Sequence, residues 1–209
     1  MKPIITLKYV FITLILFLFT SCVENQSKVV SKEDKPCCAE LESAPVVSSS
    51  SIYQLNENWV DQNNQNIKLS SLKGKPQVVA MIFTNCAYAC PRILLDLKQI
   101  ESNLTEAQRE KVEFLLITFD TVRDTPEQLK KYAKDHQLNT HWRLLHGNEN
   151  QVREISLVLG VKYEQQKDKS FAHSNIITVL NQEGEIVHQQ EGLGANNDQT
   201  ISKIKELIK

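Results

Sequence analysis

The chain has 209 residues, a formal net charge of −1, 41% hydrophobic residues and 23% charged residues. So even a balance provides no basic field for a nucleic-acid backbone. Five cysteines in this length are too few for a disulfide-stapled scaffold, so their chemistry is local to wherever they pair.

In chain order, Lys2 and Lys8 make a short basic start before an apolar run, Val10 to Phe19, broken only by Thr13; Thr20 and Ser21 then lead into Cys22. A charged start, an apolar stretch and small residues are the order of an export signal. The run is short for a spanning helix, which needs about 20 apolar residues. A cysteine directly after the small residues resembles the lipobox of bacterial lipoproteins, with Phe19 where that box prefers Leu. On this resemblance residues 1–22 are a lipoprotein-type signal ending at a lipidated Cys22; an uncleaved anchor is the rival reading. Either one implies a bacterial cell-envelope protein held at a membrane with its body outside the cytoplasm, where disulfides are chemically allowed. Residues 23–51 carry Lys, Glu, Pro45 and a run of serines without a sustained apolar period, which predicts a flexible tether. Residues 52–209 are long enough for one domain with its own core.

Within that domain, Trp59-Val60 and Ile67-Leu69 flank the polar stretch Asp61 to Asn66 and predict a hairpin. Gln77 to Phe83 and Val112 to Phe119 are apolar throughout and predict buried central strands. Pro91 to Leu104 has Ile93, Leu94, Leu97 and Ile100 at helical spacing. Thr125-Pro126-Glu127-Gln128 has the pattern of a helix start, for a helix reaching about His136. A short strand (Trp142 to Leu145) and a helix (Glu149 to Leu159, stopping at Gly160) follow. Asn175 to Leu180 and Glu185 to Gln189 form a hairpin across Asn181-Gln182-Glu183-Gly184, and Thr200 to Ile208 is a final helix. The order predicts an α/β domain with a central mixed sheet flanked by helices and an N-terminal β-hairpin extension, similar to the thioredoxin fold with insertions.

Cys86 and Cys90 form a C-x-x-x-C between the first buried strand and the helix that follows, where the thioredoxin fold keeps its active site. Free N–H groups and the dipole at a helix start favour thiolates, which makes both sulfurs candidate nucleophiles or soft-metal ligands near neutral pH. A plain disulfide clamp, a redox pair and a metal site are all open to such a pair. The spacing is not that of a thioredoxin. Nor is there a proline in the late loop facing the cysteines, where thioredoxins keep a cis-proline; the last proline is Pro126. That loop reads Lys169-Ser170-Phe171-Ala172-His173-Ser174. With the Asn175–Leu180 strand antiparallel to the cysteine-bearing one, His173 falls at the same sheet edge, so two sulfurs and an imidazole converge. Thiolates select Cu(I), and imidazole also accepts Cu(II).

At these residues the chain resembles the SCO/SenC copper chaperones of cytochrome c oxidase assembly, over roughly Trp59 to Lys209. The resemblance rests on Leu72-Lys73-Gly74-Lys75-Pro76, on Phe83-Thr84-Asn85-Cys86 with Cys90-Pro91, on Asp120-Thr121-Val122-Arg123-Asp124-Thr125-Pro126, and on His173 before a strand and Glu183-Gly184. It implies a thioredoxin-like fold and copper ligands at Cys86, Cys90 and His173. It also implies a role in delivering copper to the CuA site of the oxidase, or in keeping that site's thiols reduced. The implied partners are the CuA-bearing subunit or another copper client, and a thiol reductant. Ala87 stands where the family often has Pro, and Ala172 where it often has Asp before the histidine. The competing functions are an exported metal-free thiol–disulfide oxidoreductase using Cys86 and Cys90, and a peroxiredoxin-like peroxidase using Cys86 near Thr84.

Asp120 ends a central strand on the site's edge and is a possible outer-shell residue. Asp124 reads as support for the following helix start. Cys37-Cys38 has no assigned pairing. His136, His141, His146 and His188 read as surface or loop positions, and with only Met1 and Met81 there is no methionine-rich copper arm.

Overall fold

The computed structural model describes residues 50–209; the signal segment with Cys22, the Cys37-Cys38 pair and nearly all of the tether lie outside the described residues. Ser51, counted above with the tether, is buried, bridges to Glu185 and caps a 3-10 turn, Ile52–Gln54. Then come β1 (Asn58–Asp61), β2 (Asn66–Lys68), a second 3-10 turn (Leu69–Leu72), β3 (Gln77–Ile82), α1 (Ala89–Ser102), α2 (Glu106–Arg109) and β4 (Glu113–Thr118). The chain continues through α3 (Pro126–Asp135), β5 (Trp142–His146), α4 (Glu149–Val158), β6 (Tyr163–Gln165), β7 (Phe171–His173), β8 (Ile176–Leu180), β9 (Ile186–Glu191) and α5 (Asp198–Leu207).

Seven strands form one mixed sheet in the order β2-β1-β5-β4-β3-β8-β9. The three central strands β3, β4 and β5 are parallel, and helices supply the crossovers that parallel pairing requires. β1 joins β5 and β8 joins β3 in the antiparallel sense, and β9 returns along β8. Every residue of β3 is buried, as is all of β4 after Glu113, which is why both read as unbroken apolar runs. Against this sheet α1 packs Ile93, Leu94, Leu97 and Ile100, each worth about 1.5–3 kcal/mol of apolar burial. The β1–β2 turn is held by Asp61, whose Oδ1 accepts from the amides of Asn63 and Gln65, with Asn64 left-handed at φ 60°. No described helix is long and apolar enough to cross a membrane.

Two elements differ from the sequence reading. The segment carrying His173 is not a loop: β6 and β7 make a separate two-stranded sheet, closed by a turn in which Lys169 has φ 66°. And α1 starts at Ala89, so Cys90 lies inside the first turn and Pro91 is its third residue. Proline is tolerated there because the first amides of a helix have no intrahelical acceptor. Two of the histidines expected at the surface or in loops are in strands. His146 ends β5; His188 lies within β9, partly buried, with Nε2 2.9 Å from Thr200 Oγ1.

Candidate metal centre

The cysteine loop is anchored from two sides. After β3, Thr84 donates its amide to Asp124 Oδ2 (2.9 Å) and its hydroxyl to Asp124 Oδ1 (2.6 Å). Asp124 also accepts from Thr118 Oγ1 at 2.5 Å, so one buried carboxylate ties the ends of β3 and β4 together. Gln128 on α3 adds a bond to Thr84 Oγ1. The helix-start role read for Asp124 belongs instead to Thr125, whose side chain accepts from the Gln128 amide. Burial holds the Asp124 carboxyl above its ordinary pKa, although hydrogen bonds from Thr118 and Thr84 oppose the shift.

The two sulfurs differ. Cys86 is half-buried, and its Sγ accepts the Cys90 amide at 3.3 Å, one of the free N–H groups of the α1 start. Cys90 is fully buried and its Sγ receives the Phe83 amide at 3.5 Å. Burial pushes the Cys90 thiol far above the ordinary range; the Phe83 amide works against this, and charge on Cys86 adds to it. At Cys90 burial thus opposes the thiolate that the helix start favours.

β7 brings His173 to the pair, with Nε2 3.9 Å from Cys90 Sγ. On its other side Nδ1 lies 3.0 Å from the Ser174 carbonyl oxygen. A carbonyl only accepts, so the neutral ring carries its proton on Nδ1 and turns the Nε2 lone pair toward the sulfurs. One atom each from Cys86, Cys90 and His173 lie within 4.8 Å of one another. Two ligand atoms about 2.3 and 2.1 Å from one metal, at about 120°, would be about 3.8 Å apart, close to the sulfur–nitrogen separation seen here. Phe83 and Phe119 wall the imidazole, with ring centroids 6.2 and 4.9 Å from its own. No cis peptide occurs among the described residues, in keeping with the missing late proline.

Asp120 touches none of the three. It is buried, accepts the Arg123 amide at 3.1 Å and forms an ion pair with the Arg123 guanidinium. Arg123, named above only within the segment that carries the resemblance, also donates to the Lys169 carbonyl. An aspartate three residues before an arginine at a strand end was the available signal. A second group, Glu106, Glu110 and His141, brings potential ligands together, but its carboxylates are exposed and Glu106 is bound by Arg109.

The SCO1/SenC family model matches residues 53–209, and the chain belongs to that family. A protein of Stutzerimonas stutzeri, whose name provisionally assigns it copper binding, is 32% identical over 131 residues, 61% of this chain and 63% of that protein. The chain thus spans a little under two thirds of that relative's length. The SCO1 protein homolog of Bacillus subtilis (strain 168) is 25% identical over 150 residues, 69% of this chain and 77% of that protein. Among solved structures, Bradyrhizobium japonicum ScoI with copper bound superposes with a TM-score of 0.60 at 23% identity, covering 72% of this chain and 96% of that one. That likeness establishes the thioredoxin-like fold.

Proposed function

We propose that this protein binds copper through Cys86, Cys90 and His173 and passes it to a client, the CuA-bearing subunit of cytochrome c oxidase, as an assembly factor. The observation that carries this reading is the Cys90 Sγ to His173 Nε2 approach of 3.9 Å, with Nδ1 already committed to a backbone carbonyl. Family membership and the Stutzerimonas stutzeri relative, whose name provisionally assigns it copper binding, support it. The donor set suits copper in both oxidation states, because thiolate favours Cu(I) and imidazole accepts Cu(II).

In this reading copper is cargo. Loading requires a reduced pair, since a Cys86–Cys90 disulfide would leave no thiolate, and a thiol reductant is the implied second partner. Cys90 gives up its proton on binding, so uptake is coupled to proton release. Cys86, the more accessible sulfur, faces the exchange of cargo; Asp120 serves the site indirectly, through Arg123. Residues 1–22 would deliver the chain to the cell envelope, with a lipid on Cys22 holding it at the membrane and residues 23–51 as the tether before the 52–209 domain.

The test is a copper titration of the reduced full-length chain followed by absorption. A Cu(II)–thiolate charge-transfer band is expected in the wild type and is expected to be lost in Cys86→Ser, Cys90→Ser and His173→Ala. If His173→Ala binds both oxidation states as the wild type does, the three-ligand reading is wrong.

A further inference from the structure

His173 reaches the cysteines from a hairpin that lies outside the main sheet. β6 and β7 pair only with each other, in the register Tyr163 with His173 and Gln165 with Phe171. No strand ladder therefore sets the tilt of this hairpin relative to the cysteine loop. Past Ser174 and Asn175 the chain enters β8 and is pinned there by β3. The hairpin thus hangs from the main sheet at the β7–β8 junction, and its tip, residues 166–170, is held by other contacts.

Aromatic packing holds the base of the hairpin: Phe171 lies 5.2 and 5.0 Å from Phe83 and Phe119, and Tyr163 stacks on Phe119 at 5.5 Å between centroids. The turn itself is held by Arg123, in the loop between β4 and α3. Its Nε pairs with the buried Asp120, its Nη2 donates to the Lys169 carbonyl at the hairpin turn, and its guanidinium carbon lies 5.9 Å from the centre of the Phe171 ring. Asp120 is fixed in turn, because its amide donates to Thr118 Oγ1 at 3.0 Å and Thr118 bonds Asp124. An unbroken chain of contacts runs from the Thr84–Asp124 anchor of the cysteine loop to the tip of the hairpin that carries His173. The guanidinium can serve both ends because its donors point in different directions from one rigid plane; an ammonium has no such fork.

We propose that Arg123, braced by Asp120, is a positioning residue that clasps the β6–β7 hairpin and so sets the distance of His173 from Cys86 and Cys90. The inference rests on the three-ligand reading above for its consequence in metal binding, but not for the clasp itself. Loss of the clasp frees the hairpin tip and leaves the cysteine loop in place. His173 then spends less time in reach of the sulfurs, as removal of an outer-shell group does at other metal sites.

The test uses the full chain, reduced, as Arg123→Met, Arg123→Lys, His173→Ala and the two double variants. In the metal-free protein, amide hydrogen exchange over residues 166–173 is expected to rise about tenfold in both Arg123 variants, with β3 and β4 as in the wild type. In copper titrations each Arg123 variant is expected to bind about tenfold more weakly, with no further loss on the His173→Ala background. Unchanged hairpin exchange in Arg123→Met overturns the clasp, as does a rise that extends to β3 and β4. An undiminished effect of Arg123→Met on the His173→Ala background overturns its route through His173. Wild-type behaviour of Arg123→Lys overturns the bridging role of the guanidinium. If His173→Ala itself leaves copper binding unaltered, the three-ligand reading fails, and the exchange result still decides the clasp.

Discussion

Thr84 and Asp124 meet through two hydrogen bonds, amide to Oδ2 and hydroxyl to Oδ1, although 40 positions separate them. The carboxylate therefore sets where the chain leaves β3, two residues before Cys86. Asp124→Ala would leave the Thr84 amide and the Thr84 and Thr118 hydroxyls short of an acceptor in a buried place. A loss of about 2–3 kcal/mol in unfolding free energy is expected. Asp124→Asn is expected to lose less, because its oxygen can keep the Thr84 N–H and the Thr118 hydroxyl while the Thr84 hydroxyl rotates to accept from the new amide. Equal urea midpoints for Asp124→Ala and the wild type would rule out this anchoring.

The same carboxylate gives a pH dependence of defined sign. Its folded-state pKa lies above the unfolded value, chiefly through burial. The folded state therefore holds the proton more tightly, and the stability this adds is full below the unfolded pKa of about 4. It is lost as pH rises through the folded value. The wild-type advantage over Asp124→Asn is thus expected to shrink from about pH 4 upward, read from urea unfolding of the reduced, metal-free proteins. An advantage that grows with pH would mean that the three hydrogen bonds outweigh burial.

The two thiols are expected to react in order. Cys86 is half-buried, whereas Cys90 is fully buried with its thiol pushed far above the ordinary range. Iodoacetamide on the reduced, metal-free protein near pH 8 is expected to label Cys86 at least about tenfold faster than Cys90, as located by peptide mass. The Cys90 rate is expected to keep rising with pH beyond the point where an ordinary thiol levels off. Comparable labelling of both positions would show that Cys90 is open to solvent.

Gly147 tests packing away from the site. A Cβ there would lie 2.7 Å from Cζ3 of the buried Trp59 ring and 3.1 Å from Gln151 Oε1, which closes the capping box of α4. Gly147→Ala is expected to cost about 1–3 kcal/mol in unfolding free energy, because neither neighbour can withdraw freely. Copper affinity of the folded fraction is expected to be unchanged. A wild-type melting temperature would mean that the Trp59 ring has room to shift.

The sheet and the three converging residues were legible in the sequence for different reasons. β3 and β4 announce themselves because burial on both faces demands an unbroken apolar run, and His173 followed from the antiparallel return of β8 beside β3. The β6–β7 hairpin was hidden because Glu164, Gln165, Gln166 and Lys167 show no alternation. Its apolar support, Phe83 and Phe119, comes from just past the ends of β3 and β4, distant in sequence. A turn signal was present in Asp168, whose Oδ1 accepts from both the amide and the hydroxyl of Ser170. Asp124 was drawn to the helix start by its neighbours Thr125 and Pro126, while its side chain turns inward to a partner that no local pattern reveals. The state of Cys90 depended on burial, which the helix-start argument does not contain.

Ser51 bridges to Glu185 beside the β8–β9 turn, and Lys111, just before β4, holds the Ile208 carbonyl. Both contacts lie at the ends of the strands opposite to those that carry Cys86 and Asp120. The described domain can therefore be grasped near Ser51 or near Ile208, on a sensor chip or a force-probe handle, with its cysteine mouth pointing into free solution. Immobilised copies made in the two orientations should exchange metal at the same rate.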